Sequence, residues 1–196
     1  MNEEVVAVST LTSLPNMLTL MRISLIPVFI LVFYLPFSWA PGVAAFIFAL
    51  ASFTDWLDGY LARKLQQISP FGAFLDPVAD KLLVATSLLL LVGAKDLNYL
   101  TIPAIVIVGR EIMISALREW MAEVGRRASI TVSHIGKAKT AIQMMAIFLL
   151  LAFSPSTSWW GTLGFALLYL AAILTIWSMV VYLMIAWPQL VKKDSI

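Results

Sequence analysis

Asp55, Asp58, Asp76 and Asp80 fall within or beside long apolar segments of one stretch, DWLDGYLARKLQQISPFGAFLDPVADK, residues 55–81. An ionised carboxylate in such surroundings is costly unless something compensates it, so four together point to function. The first two are three residues apart and the last two four apart, so on helices each pair projects from one face. Gly59 and Gly72 remove side-chain bulk beside the carboxylates, and the polar turn from Gln66 to Pro70 lets two helices fold back on each other. Four converging carboxylates with room for a ligand form an all-oxygen site for hard divalent cations, Mg²⁺ or Mn²⁺ above all, with two ions possible. Those metals suit phosphate chemistry. The bland alternative is a set of buried ion pairs with Arg63, Lys64 and Lys81.

The elements that position this stretch must be membrane helices. Of 196 residues, 61% are hydrophobic and 12% charged, and the mean hydropathy is +0.94. That composition belongs to an integral membrane protein. The absence of cysteine excludes a disulfide framework, a thiolate metal site and a thiol nucleophile. Glu3 and Glu4 precede the first apolar run, and no small-residue cleavage site follows it, so no removable signal peptide is expected. The sequence pI near 9.0 has a membrane explanation before a nucleic-acid one.

Six transmembrane helices are expected in one domain, 1–196, with 1–21 as an N-terminal segment and 188–196 as a tail. Residues 13–19 read as a polar, proline-containing approach to a first span over 22–34. The second span covers roughly 42–65 and carries Asp55 and Asp58; the third covers 71–93 and carries Asp76 and Asp80. A fourth begins near Tyr99 and continues as a charged helical extension, 110–127. The fifth covers 137–153, the sixth 161–187, and His134 stands alone in a loop. With that topology every Lys and Arg except Lys95 falls on one side or in its half of the bilayer, which puts both termini in the cytosol. The four carboxylates then meet in the cytosolic half of the bundle, open to a soluble substrate from the cytosol and to a lipid from the inner leaflet.

The pattern Asp55-x2-Asp58-Gly59-x2-Ala62-Arg63-x8-Gly72-x3-Asp76-x3-Asp80 resembles, without departure, the signature of the CDP-alcohol phosphatidyltransferases. Pro15-Asn16-x-Leu18-Thr19-x2-Arg22, residues 109–123 (GREIMISALREWMAE) and Gly136-Lys137-x-Lys139-Thr140 look like the bacterial branch of that family whose acceptor is glycerol 3-phosphate. The resemblance implies transfer of a phosphatidyl group from CDP-diacylglycerol to an alcohol, with release of CMP. Carried over by position, Asp55, Asp58 and Asp76 are metal ligands, Asp80 is a ligand and the base that deprotonates the acceptor, and Gly59, Arg63, Ser69 and Gly72 contact the CDP part. It also implies a homodimer in the bacterial inner (cytoplasmic) membrane, among membrane lipids.

An acceptor that carries its own phosphate needs cations. Arg110 and Arg118 lie eight apart, close to one helical face, and Lys137 and Lys139 start the next span. These four favour glycerol 3-phosphate, giving phosphatidylglycerophosphate; the alternative for them is topological charge at the cytosolic surface. Inositol phosphate, serine or phosphatidylglycerol as acceptor would keep the chemistry. A divalent-cation transporter is the competing class, but it would place acids near the midplane and often shows paired repeats, which this sequence lacks.

Overall fold

The computed structural model describes residues 13–64, 69–94, 98–123 and 134–191; within these, the side chains at 56, 62, 63, 98, 122, 123, 134–137, 185, 186 and 188–191 are outside the description. Six α-helices follow one another: α1 (Leu14–Phe33), α2 (Ala40–Lys64), α3 (Pro70–Gly93), α4 (Thr101–Glu123), α5 (His134–Ala152) and α6 (Trp159–Val191), with a single 3-10 turn, Asn98–Leu100, before α4. No strand occurs among the described residues.

The helices start where proline and small polar residues allow. Pro15, Pro41 and Pro70 sit in the first turns of α1, α2 and α3, where a missing N–H costs no helical hydrogen bond. Ser69 caps α3, its hydroxyl accepting the Gly72 amide at 2.9 Å. α3 ends at Gly93, where Ala94 takes an extended conformation.

Several boundaries differ from the sequence reading. Residues 14–19 are the first turns of α1 rather than an approach to it, because Pro15 starts a helix as readily as it ends one. His134 is the first residue of α5, not a loop residue. α6 runs on to Val191, into the expected tail, and its 33 residues span about 50 Å. The charged extension of the fourth span is helical as far as Glu123; Arg126 and Arg127 lie outside the described residues.

α1, α2 and α6 carry segments long and apolar enough to cross a membrane. α3 has the length, but Asp76, Asp80 and Lys81 interrupt its apolar run, and Arg110 and Glu111 do the same in α4. Within the bundle α1 packs on α2 and α3, and α6 packs on α4 and α5. Phe29, Phe48, Leu83, Leu88, Ile107, Ile147 and Leu168 are all but inaccessible in the core these helices share. α5 and α6 approach closely at Gly164, where a Cβ would lie 2.9 Å from the Leu149 Cβ. The outer face of α6 bears an apolar groove of about 390 Å³ lined by Ile173, Ile176, Trp177, Val180, Val181 and Met184, a surface suited to hydrocarbon.

Candidate active site

The site is assembled by α1, whose buried face changes character along its length. Asn16, Thr19 and Arg22, three residues apart, are completely or almost completely inaccessible; Ile26 and Phe29 continue the same face into the apolar core. Each of the three polar side chains reaches one of the aspartate helices. The Asn16 Nδ2 donates to Ser69 Oγ at 2.9 Å, and the Thr19 hydroxyl donates to Asp76 Oδ1 at 2.6 Å, with Asp58 Oδ2 3.4 Å away. Arg22 forks across α2: one terminal nitrogen donates to Asp55 Oδ1 at 2.5 Å and the other to Asp58 Oδ2.

Gly72 is fixed by the same contacts. A Cβ there would come within 2.5 Å of Asn16 Oδ1 and 3.2 Å of Ser69 Oγ, so the absent side chain is what lets α1 and α3 close around Ser69. Asp58 is buried, whereas the Asp55 side chain is 43% exposed; Asp76 and Asp80 are half-buried one turn apart on α3. Asp80 lies within electrostatic reach of Asp55 and Arg22 and also of Glu111 on α4.

Glu111 is the centre of a second, basic cluster. Its Oε1 accepts from Arg110 at 2.7 Å and stands 3.6 Å from the Lys139 ammonium, which α5 holds almost fully buried. Arg118 reaches α6 instead, donating to the Tyr182 hydroxyl at 3.0 Å, its guanidinium 5.5 Å from that ring's centre. Arg110 and Arg118 both lie within electrostatic reach of Lys139.

Asp55 and Asp58 lie on α2, Asp76 and Asp80 on α3, Arg110 and Arg118 on α4, and Lys137 and Lys139 on α5. Gly59 lies half-buried on α2, next to Asp58; the side chains of Arg63 and Lys137 are outside the described residues. The guanidinium that pairs with Asp55 and Asp58 is that of Arg22, which the bland alternative did not name. Asn16, Thr19 and Arg22 were missed as site residues, although their three-residue spacing is the signal that marked the aspartates. Reading residues 13–19 as an approach segment cut that face in two.

Among the described residues, no three acidic or histidine side chains stand together as a ready-made metal cage. The donor set nevertheless fits a hard divalent cation: four carboxylates and a hydroxyl, with no sulfur or imidazole. The Arg22 guanidinium lies against two of those carboxylates and shows that the cluster draws positive charge to itself.

This constellation defines the class of protein. The family pattern of the CDP-alcohol phosphatidyltransferases matches residues 12–187, and the chain belongs to that family. Among its relatives is a protein of Pseudomonas fluorescens named CDP-diacylglycerol–glycerol-3-phosphate 3-phosphatidyltransferase, 55% identical over 184 residues that cover 93% of this chain and 94% of the relative. Proteins of the same name from Pectobacterium atrosepticum and Salmonella paratyphi A are each 53% identical, covering 92% of this chain and 98% of their own.

Proposed function

We propose that this protein transfers the phosphatidyl group of CDP-diacylglycerol to glycerol 3-phosphate, giving phosphatidylglycerophosphate and CMP. The observation that carries the reading is that Asp80 lies within electrostatic reach both of Asp55 in the acidic cluster and of Glu111 in the basic one. The near full-length relatives with that activity in their names support the same acceptor.

Asp55, Asp58, Asp76 and Asp80 would hold one or two divalent cations, Mg²⁺ or Mn²⁺. When bound, such ions neutralise the pyrophosphate and stabilise the charge that develops as CMP leaves. Gly72 and Ser69, with Gly59 and Arg63, line the CDP side, and Arg110, Arg118, Lys137 and Lys139 receive the acceptor's phosphate. Asp80 takes the proton of the acceptor hydroxyl. The freed oxygen attacks the phosphorus that carries diacylglycerol, the bond from that phosphorus to the bridging oxygen breaks, and CMP departs with the electron pair. A single displacement needs no covalent phosphatidyl-enzyme. The protein works in the bacterial inner membrane with its site facing the cytosol, as a homodimer by family resemblance.

The test offers the purified protein glycerol 3-phosphate, serine, inositol 1-phosphate and phosphatidylglycerol separately, each with CDP-diacylglycerol and Mg²⁺, and identifies the lipid formed. Phosphatidylglycerophosphate is the expected main product. Phosphatidylserine, phosphatidylinositol phosphate or cardiolipin in its place would keep the reaction class and overturn the acceptor.

A further inference from the structure

Arg22 is the one completely inaccessible charged side chain among the described residues, and it spans the two carboxylates of α2. A guanidinium does not deprotonate in proteins, so this charge is permanent and must be matched wherever it is buried. Asp55 and Asp58 in turn are two like charges one helical turn apart in an apolar bundle, and each needs a positive partner. The pairing therefore meets both requirements at once. It is also incomplete: the Arg22 Nε is buried without an acceptor, so the guanidinium is not fully satisfied by the two carboxylates.

We propose that Arg22 is an internal counter-ion that competes with the divalent cation for Asp55 and Asp58, so that cation binding to this site is an exchange rather than an addition. The inference rests on the reading that these aspartates hold a cation. Asp55 Oδ1 and Asp58 Oδ2, the oxygens gripped by Arg22, are hard donors of the kind a divalent ion requires. While the guanidinium stays, it cancels one of the pair's two negative charges and occupies an oxygen of each carboxylate, so the pair holds a divalent ion less tightly. Only the fraction of molecules with Arg22 withdrawn is competent, and the apparent affinity falls by that fraction. The clamp has a structural side as well. Arg22 ties α1 to α2, while Thr19 and Asn16 tie α1 to α3, so withdrawal of Arg22 removes one set of polar ties and leaves the other, with the packing of α1 on both helices, in place.

The experiment titrates Mn²⁺ into chelator-treated full-length protein in nanodiscs and reads the free ion by electron paramagnetic resonance, for wild type, Arg22→Gln, Arg22→Lys and Asp76→Asn. With a competent fraction of about a tenth, Arg22→Gln should bind Mn²⁺ about tenfold more tightly than wild type, and Arg22→Lys should fall between them. A purely structural role for Arg22 would move affinity the other way, because a damaged site binds worse. An unchanged or weakened affinity in Arg22→Gln overturns the proposal.

A measurement on the wild type keeps the test open if Arg22→Gln does not fold. Phenylglyoxal labelling of Arg22, mapped by mass spectrometry, should rise severalfold between chelator and saturating Mn²⁺, and constant or reduced labelling overturns the exchange. Wild-type binding that Asp76→Asn leaves intact, or no wild-type binding at all, would instead overturn the aspartate cation site and the exchange with it.

Discussion

The acidic and basic halves of the site are held in opposite ways. Asp55, Asp58 and Asp76 are held by Thr19 and Arg22 from a third helix, through contacts that bridge 33 to 57 residues of sequence. On the basic side Arg110 leans on its own neighbour Glu111, and exposed Arg118 on the Tyr182 hydroxyl. Thr19 and Asn16 fix the α3 side of the charge cluster, and a preorganised cluster acts on the transition state without reorganising during reaction. The basic half leaves Arg110 and Arg118 with replaceable partners, while Lys139 beside them is almost fully buried. An acceptor phosphate can take the place of the Glu111 carboxylate or the Tyr182 oxygen. Under the proposed function, rigidity falls where charge develops, and adaptability where the acceptor enters and leaves.

The comparison breaks first at Asp76. Asp76→Asn removes a charge and weakens the hydrogen bond from Thr19, and turnover should fall by about 10²- to 10³-fold whichever acceptor is offered, as loss of one preorganised electrostatic contact does. Near-normal kcat at saturating Mg²⁺ would show that the acidic half is not the reacting half. The next effect is smaller and more selective. Arg110→Gln should cost roughly 1.5 to 3 kcal/mol of acceptor binding, the worth of a charge-assisted contact, read as a raised KM for glycerol 3-phosphate with the KM for CDP-diacylglycerol changed less. An equal rise in both would place Arg110 outside the acceptor's reach. Tyr182→Phe sharpens the comparison at its fine end. It keeps the ring beneath Arg118 and deletes only a hydroxyl in an exposed contact, so the same KM should shift by no more than about 1 kcal/mol. A shift as large as that of Arg110→Gln would mean that Arg118 is held as firmly as the aspartates.

How much of this was legible depends on the range of the interaction. The carboxylate pairs of α2 and α3 and the spacing of Arg110 and Arg118 are properties of single helices, and helical periodicity alone puts them on common faces. The six-helix order follows equally locally, from apolar runs broken by proline, glycine and polar residues. What joins the faces does not. Nothing in the sequence around Asp58 names Arg22 as its partner, because the choice depends on how α1 packs against α2 and α3. Ser69 illustrates the same limit. Its place before Pro70 marks a cap, yet its bond to Asn16 is set by tertiary packing. Gly72 was read as room for a ligand, and at least part of that room is taken by the Asn16 amide.

The position of Arg22 early in the chain bears on how the protein is made. The partners of its guanidinium lie 33 and 36 residues further on, so when α1 first meets the bilayer its arginine has neither carboxylate to hold. An arginine at the centre of an inserting helix carries a penalty of about 2.5 to 3.5 kcal/mol, which the flanking leucines, isoleucines and phenylalanines of α1 must outweigh alone. That burden lifts only when α2 arrives alongside. The charge of Arg22 is thus satisfied only in the helical hairpin of α1 and α2, not by α1 alone.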